Sequence, residues 1–478
     1  MQMISFIFFG LVAVIFILLI SINKIFKDDR KAIKITNAVL LIASYIFVAY
    51  ADWRFALVLA GLTLSTWYCA KRKSTEKYGI IIAVLTLVFF KYTNFFIESF
   101  AKIFGSDYTI LNIILPLGIS FYTFSAISYI VDVSRNRIEQ KNLGLVALYL
   151  AFFPKITSGP IQRSGDFFNQ IEQRRKVGWN TFAPGIQMFM FGLFKKIVLA
   201  DRLSVFVNQV YDTPMAFGSL TVFFAAVAYS LQIYFDFSGY SDMAIGVSKI
   251  LGIDLPRNFN LPYLAHNVTE LWKRWHITLS SWLQDYIYIS LGGNRKGKVR
   301  TYLNLILTMV IGGIWHGANF TYIVWGLLHG IALAVHKVWM TLTYSDSKKH
   351  SRIANIISIC LTFLFTTFCW IFFRAESLSK AFIIIKRIFS FERGLEQPYM
   401  WLIIAAVLLL LASIIAFIKT NKNPSQKPNK RTNTSMVEGY YPIVDLTTFQ
   451  GLVIFFVFCG IILCLAYTGG SPFIYGNY

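Results

Sequence analysis

Apolar segments of about 20 residues recur along almost the whole chain, and they restrict its fold more than any other feature. Only helices and closed barrels satisfy all their own backbone hydrogen bonds in hydrocarbon. The mean hydropathy of +0.58 excludes an ordinary soluble domain. We therefore predict an all-α, polytopic membrane protein with about eleven or twelve transmembrane helices. The predicted spans lie near 3–22, 34–50, 54–70, 79–97, 110–131, 181–199, 219–247, 301–316, 318–340, 354–373, 400–418 and 449–467.

The basic residues lie in short clusters between the apolar runs. The net charge of +22 thus indicates membrane topology rather than nucleic-acid binding. Because Lys and Arg accumulate in cytoplasmic loops, both termini are predicted on the outer face. Two features do not fit: Lys195-Lys196 lies within an apolar run, and the basic 374–397 loop falls outside. The basic linkers are Lys24–Lys34, Lys71–Lys77, Arg135–Lys141, Arg163–Lys176, Arg295–Arg300, Lys348–Arg352 and Lys419–Arg431.

One membrane-embedded domain is predicted, with N-terminal spans at 1–142, a catalytic core at 143–340 and C-terminal spans at 341–478. The last part contains a polar linker at 419–438 and an aromatic outer tail at 469–478. The first 20 residues contain no basic n-region and no small-residue cleavage site, so they are predicted to be a retained span.

The cysteines lie within or at the edges of apolar segments and form no CxxC pair. This pattern indicates packing thiols, with neither disulfides nor a metal site. The five are Cys69, Cys360, Cys369, Cys459 and Cys464.

Two segments, 143–162 and 266–291, are too short or too polar to be simple spans. The first contains a Ser158-Gly159-Pro160 break followed by Arg163. This break could hold a phosphate or pantetheine group, or it could be a turn between half-helices.

The second segment is predicted to be an amphipathic helix that lies in the interface or re-enters the membrane. Trp272 and Trp275 recur at helical spacing, as in an interfacial tryptophan belt, and Lys273 and Arg274 lie on other faces. His276 follows at the predicted cytoplasmic mouth.

Asp236 and Asp242 place two carboxylates in the otherwise apolar span 219–247. Since they are six residues apart, they do not share a face of an unbroken helix. Two interpretations remain open. The carboxylates either bond to neighbouring helices and lock them, or line a substrate path.

His316 lies in IGGIWHGAN, where glycines on both sides permit an interrupted helix that lines a cavity. An imidazole at such a position can take a proton from a hydroxyl and return it, and Asn319 follows nearby. His329 and His336 share a helix face, but two histidines do not predict a metal site.

Four long motifs carry a resemblance to a known family. The chain resembles the membrane-bound O-acyltransferases, in particular the bacterial branch that contains the membrane subunits of alginate O-acetylation and teichoic-acid D-alanylation, with a length closer to the alginate type. The motifs are FFPKITSGPIQR at 152–163, YSLQIYFDFSGYSDMAIG at 229–246, LPRNFNLPYLAHNVTELWKRWHITLSSWLQDYIYISLGGNRKG at 255–297 and RTYLNLILTMVIGGIWHGANFTYIVWGLLHG at 300–330.

The resemblance implies a funnel or tunnel through the bilayer, with His316 as the catalytic residue and His276 at the family's second polar position. The donor would be acetyl-CoA or an acyl carrier thioester, docked near basic residues that include Arg295 and Lys296, with no bound cofactor or metal. The candidate substrate-binding residues are Trp272, Lys273, Arg274, Trp275, Asp236, Asp242, Ser158, Arg163 and Asn319.

Export members of the family end in F-x-Y-x-x-F, whose tyrosine is the proposed acyl acceptor. The corresponding residue here is Tyr475, in a tail that keeps Phe473 but has Tyr478 in place of the last Phe. The implied partner is an extracytoplasmic SGNH-type transferase that acylates a polysaccharide, with membrane lipids around the chain.

Other functions stay open at this point. A flippase or transporter of lipid-linked sugars would share the spans, the basic mouth and the intramembrane carboxylates. A non-catalytic scaffold for wall synthesis, or an acyltransferase acting on a lipid or protein hydroxyl, is a further alternative. No P-loop, Rossmann, HExxH or GxSxG pattern occurs in the sequence.

Overall fold

A computed structural model describes residues 3–105, 107, 109–343, 351–408, 411, 444–467, 469–470 and 473–474. Within these residues every regular element is helical and no β-strand occurs, apart from an isolated bridge between Phe217 and Leu395. The predicted all-α class is therefore confirmed.

Four helices follow one another closely at the N-terminal end: α1 (Phe6–Ile25), α2 (Asp29–Ala51), α3 (Trp53–Cys69) and α4 (Glu76–Phe104). Side chains of Ser5, Asp28 and Asp52 cap the first three by accepting bonds from backbone N–H groups of the first turn. α4 ends at Gly105, whose φ of 61° is the left-handed conformation common at helix ends.

The predicted span 110–131 is wrong in its first half. Helix α5 (Ile119–Ser134) begins only after Pro116 and Gly118, because proline and the left-handed Gly118 prevent an earlier start. The 143–162 segment is not a single spanning helix, which agrees with the prediction. It forms the short helices α6 (Leu143–Ala151) and α7 (Phe153–Ile156), and α8 (Ser164–Ile171) follows.

The centre of the molecule is α11 (Ser219–Ile250), most of whose side chains are buried. It packs on α9 (Trp179–Leu193), on the π-helical turn 194–200 and on α10 (Asp201–Asp212). α9 and α11 approach through glycines, since a Cβ added at Gly192 would lie 2.4 Å from the carbonyl oxygen of Gly239. Such small-residue contacts are a common way for membrane helices to pack.

The predicted continuous helix at 266–291 is broken into α12 (Val268–Arg274), α13 (Ile277–Trp282) and the π-helical turn 283–288. α14 (Lys298–His316), α15 (Phe320–Leu342) and α16 (Arg352–Arg374) then follow. The predicted basic outer loop 374–397 contains α17 (Leu378–Phe389), and the last described helix is α18 (Phe449–Leu465).

Among the described residues, seven helical segments are long and apolar enough to span a membrane, and the chain is a multi-pass membrane protein. The predicted total of eleven or twelve spans stays a prediction, as does the division into three parts. The seven are Phe6–Ile25, Asp29–Ala51, Glu76–Phe104, Trp179–Asp212, Ser219–Ile250, Phe320–Leu342 and Arg352–Arg374.

Candidate active site

His316 is the last residue of α14 and is only 2% exposed. Its ring packs against three aromatic rings, with centroid distances of 4.7 Å to Trp315, 5.0 Å to Trp325 and 5.1 Å to Phe373. The chain turns from α14 into α15 at Gly317, which packs so closely on Tyr322 that an added Cβ would lie 2.3 Å from the ring. The predicted helix interruption thus lies at Gly317, whereas Gly312 and Gly313 are within the unbroken α14.

His276 lies between α12 and α13 and is 1% exposed. Its φ of 40° is left-handed, a conformation that costs about 1–3 kcal/mol for a residue other than glycine. Neighbouring bonds hold this break in place. The Asn258 carbonyl accepts from the N–H of Ile277, and the Asn258 side chain accepts from the Thr278 hydroxyl at 2.5 Å.

Trp315 lies between the two histidines. Its ring centroid is 4.7 Å from that of His316 and 6.4 Å from that of His276. His276 also contacts Phe237 of α11, at 4.7 Å. The fold thus brings together two imidazoles that are 40 positions apart in the chain. The rings around them, called the aromatic wall below, are those of Phe237, Trp315, Trp325 and Phe373.

The predicted tryptophan belt is wrong. Trp275 is 2% exposed and contacts Phe259 and Trp370 at 5.0 and 4.9 Å, while Trp272 contacts Trp325 at 5.8 Å. Both tryptophans lie in the core beside the histidines, on the N-terminal side of the helix break at His276, and not at a lipid surface. Helical periodicity alone could not reveal this break.

The basic neighbours of these tryptophans point away from the core. Arg274 pairs with Glu270 at 2.7 Å and donates to the Asn260 carbonyl, whereas Lys273 is exposed. Arg295 and Lys296 are exposed in the turn before α14.

Asp236 and Asp242 both form ion pairs with the π-helical turn. Lys196 Nζ lies 2.6 Å from Asp236 and 2.8 Å from Asp201, and Lys195 Nζ lies 2.6 Å from Asp242. These bonds support the helix-locking interpretation of the two carboxylates. They also explain why two lysines occur within an apolar run.

Three other candidates make contacts within the scaffold. Arg163 pairs with Asp285 at 2.6 Å, and buried Ser158 lies in the turn after α7. The Asn319 side chain caps α15 through the Thr321 N–H and donates to the Glu376 carbonyl at 2.8 Å.

Tyr475 lies outside the described residues, but the two preceding tail positions are described at 473 and 474. The backbone N–H of Ile474 donates to Asp236 at 2.8 Å. The ring of Phe473 stacks on Tyr240 at 4.3 Å and lies 6.2 Å from Phe237. The tail therefore reaches α11 on the side that also contacts His276.

Two further histidines, His329 and His336, lie on α15. His329 packs between Trp272 and Trp325, each at 5.2 Å, and His336 Nδ1 lies 2.8 Å from the Thr269 hydroxyl. In the part of the chain that is described, no group of three or more His, Cys, Asp or Glu side chains is arranged to hold a metal ion.

Sequence reasoning missed Asn258, Lys91 and Tyr92. Asn258 fixes the backbone at His276, and the other two contact the end of α14. A lysine in the middle of the apolar run of α4 was the available signal, because charge in such a run needs a reason.

Comparison with known proteins matches residues 134–378 to the membrane-bound O-acyltransferase family model. The chain is 40% identical to the "Probable alginate O-acetylase AlgI" of Pseudomonas aeruginosa over 375 residues, 74% of this chain and 70% of that protein. Its Pseudomonas putida counterpart is 37% identical over 467 residues, 92% and 94% of the two chains. The peptidoglycan O-acetyltransferase of Helicobacter pylori is 37% identical over 384 residues, 73% and 72%.

Proposed function

The chain belongs to the membrane-bound O-acyltransferase family, and on this premise we propose that it transfers a short acyl group, acetyl, from a cytoplasmic thioester to hydroxyls of an extracytoplasmic or cell-wall polysaccharide. It is an O-acyltransferase by family. The acceptor class is supported by the relatives, which are named for alginate and peptidoglycan. The observation that most directly supports this proposal is the buried pair of His276 and His316, which lie on either side of Trp315.

In the proposed reaction, His316 is the general base. A hydroxyl oxygen bonds to the thioester carbonyl carbon as the imidazole takes the hydroxyl proton. The carbon–sulfur bond then breaks, and the imidazole returns the proton to the departing thiolate. His276 lies within the same aromatic wall and is the second polar group available to the reacting atoms.

The donor side is proposed to be cytoplasmic. Acetyl-CoA or an acyl carrier thioester carries phosphate groups, and the exposed Lys273, Arg295 and Lys296 suit such anions. The basic linkers support an orientation with these residues inside and both termini outside. The membrane is then the cytoplasmic membrane of a bacterium, as expected from the bacterial relatives.

On the outer side, the tail is proposed to receive the acyl group on the Tyr475 hydroxyl and to pass it to a separate SGNH-type transferase. Support comes from the contacts of Phe473 and Ile474 with α11, beside Phe237 and its neighbour His276. In this scheme the donor never crosses the membrane.

The test is replacement of His316 by Ala, with consumption of acetyl-CoA measured on the purified full-length protein in nanodiscs. Loss of general-base help lowers rates by about 10²–10⁴-fold, so turnover should fall to background while the variant stays folded. His336→Ala is the matched control, since that histidine contacts Thr269 away from the aromatic wall, and it should keep its turnover. Full activity of His316→Ala would contradict the assignment.

A further inference from the structure

Lys91 places an amino group in the middle of the membrane helix α4, facing the protein interior. A charged side chain near the centre of a span costs about 2.5–3.5 kcal/mol on insertion, so such a residue needs a compensating contact. Its Nζ donates to the carbonyl oxygen of Trp315 at 2.5 Å. It also lies 3.5 Å from the Ser120 hydroxyl and 5.6 Å from the centre of the Trp315 ring.

The next residue makes a parallel contact. Tyr92 is 7% exposed, and its hydroxyl donates to the carbonyl oxygen of Ile314 at 2.5 Å. Two consecutive residues of α4 thus bond to two carbonyls in the last turn of α14, more than 200 positions away in sequence.

The place of these bonds is significant because α14 ends at His316. The last carbonyls of a helix have no partner within it, and the negative end of the helix dipole favours a cation. Lys91 supplies a donor to the Trp315 carbonyl, and Tyr92 adds a second donor to the Ile314 carbonyl, which also accepts from the N–H of Gly317 at 3.2 Å. The backbone on the N-terminal side of His316 is therefore anchored to another helix.

We infer that Lys91 and Tyr92 are positioning residues that fix the last turn of α14 and so set the orientation of the His316 ring. This inference rests on the proposed role of His316. Movement of the Trp315 backbone would also move the indole between His316 and His276, so the anchor affects both imidazoles. Neither α4 residue is required to touch the substrate.

The same helix offers a matched control. Lys102 lies on α4 but is largely exposed, and it pairs with Glu98 at 2.6 Å. Replacing either lysine by Met keeps an unbranched side chain that is one atom shorter, and it removes the amino group and its charge. Lys91→Met removes a bond to the helix that carries His316, whereas Lys102→Met removes the ion pair with Glu98.

The experiment compares Lys91→Met, Lys91→Arg, Tyr92→Phe and Lys102→Met for acetyl-CoA turnover and thermal unfolding, with full-length protein in nanodiscs. Misplacing a catalytic group by about 1 Å can cost 10²-fold, so Lys91→Met should lower kcat by about 10–100-fold with little change in KM. Lys91→Arg keeps the N–H donors and should restore most of kcat. Tyr92→Phe should lower kcat in the same direction, and Lys102→Met should behave like the parent.

Two results would overturn the inference. Parent-like kcat in Lys91→Met would show that the bond to Trp315 does not position the histidine. Activity that falls only as far as the folded fraction falls, without rescue by Lys91→Arg, would show a purely structural role. The proposed function fails separately, if His316→Ala keeps its turnover in the same assay.

Discussion

Lys196 is held between two buried carboxylates, those of Asp236 and Asp201, at 2.6 and 2.8 Å. The three side chains are each less than 8% exposed. In such surroundings each ion depends on its partners, because removal of one leaves an uncompensated buried charge. Asp236 also accepts the N–H of Ile474, so the same carboxylate connects the π-helical turn to the tail.

Replacing Lys196 by Met should therefore destabilise the protein by about 3–5 kcal/mol, the usual cost of breaking a buried pair from one side. The measurement is the thermal unfolding midpoint in detergent. Lys380→Met removes a more exposed pair with Glu376 and should leave that midpoint nearly unchanged. An unchanged midpoint in Lys196→Met would mean that the carboxylates do not need its charge.

At the scale of elements, α9 and α11 approach each other closely in the core. Gly192 faces the Gly239 carbonyl and Gly185 faces the Gly246 carbonyl, where added Cβ atoms would lie 2.4 and 2.7 Å away. These contacts place the π-helical turn, which continues α9, within reach of the carboxylates of α11. Helix separation would therefore strain the ion pairs as well as the packing.

Gly192→Ala should destabilise the protein by about 1–3 kcal/mol, because an added methyl group overpacks this contact. Gly61→Ala is the control, since nothing lies within 4 Å of a Cβ built there. That substitution should be neutral or stabilising by about 0.5–1 kcal/mol, the gain of Ala over Gly inside a helix. The unfolding midpoint should thus fall in Gly192→Ala and stay unchanged or rise in Gly61→Ala, and an unchanged midpoint in Gly192→Ala would contradict the packing argument.

Across the whole molecule, the C-terminal part returns to the centre of the core. The N–H of Tyr467 donates to the Ile197 carbonyl, and the N–H of Ile474 donates to Asp236, 238 positions earlier in the chain. Phe473 stacks on Tyr240 of the same helix α11. Residues 473 and 474 are thus joined to the helix that also contacts His276.

If Tyr475 receives the acyl group, Tyr475→Phe should remove the acetyl mass shift from the C-terminal peptide after incubation with acetyl-CoA. O-acetylation of the polymer should fall with it, since the substitution removes only a hydroxyl. Phe473→Ala is the companion variant, because it removes the stack on Tyr240 and should weaken the same signal without abolishing it. Unchanged polymer acetylation in Tyr475→Phe would mean that the polymer hydroxyl reaches His316 directly.

The fold class and several local features of this protein follow from short stretches of its sequence. Long apolar runs determine an all-α membrane protein, because hydrocarbon admits no unpaired backbone groups. The glycines around His316 predicted an interrupted helix, and α14 does end at that residue. Lys195-Lys196 did not fit the predicted topology, and the structure pairs them with Asp242 and Asp236.

Only the tertiary structure decided how these local features meet. The left-handed break at His276 depends on Asn258, and the end of α14 depends on Lys91 and Tyr92. Periodicity could not place Trp272 and Trp275, because an apolar helix face can pack in the core as well as at the membrane interface, and both side chains are buried in the core. The physical reason is the same in each case: apolar length and local turns are properties of neighbouring residues, whereas a buried polar group takes its partner from whichever helix the packing brings beside it.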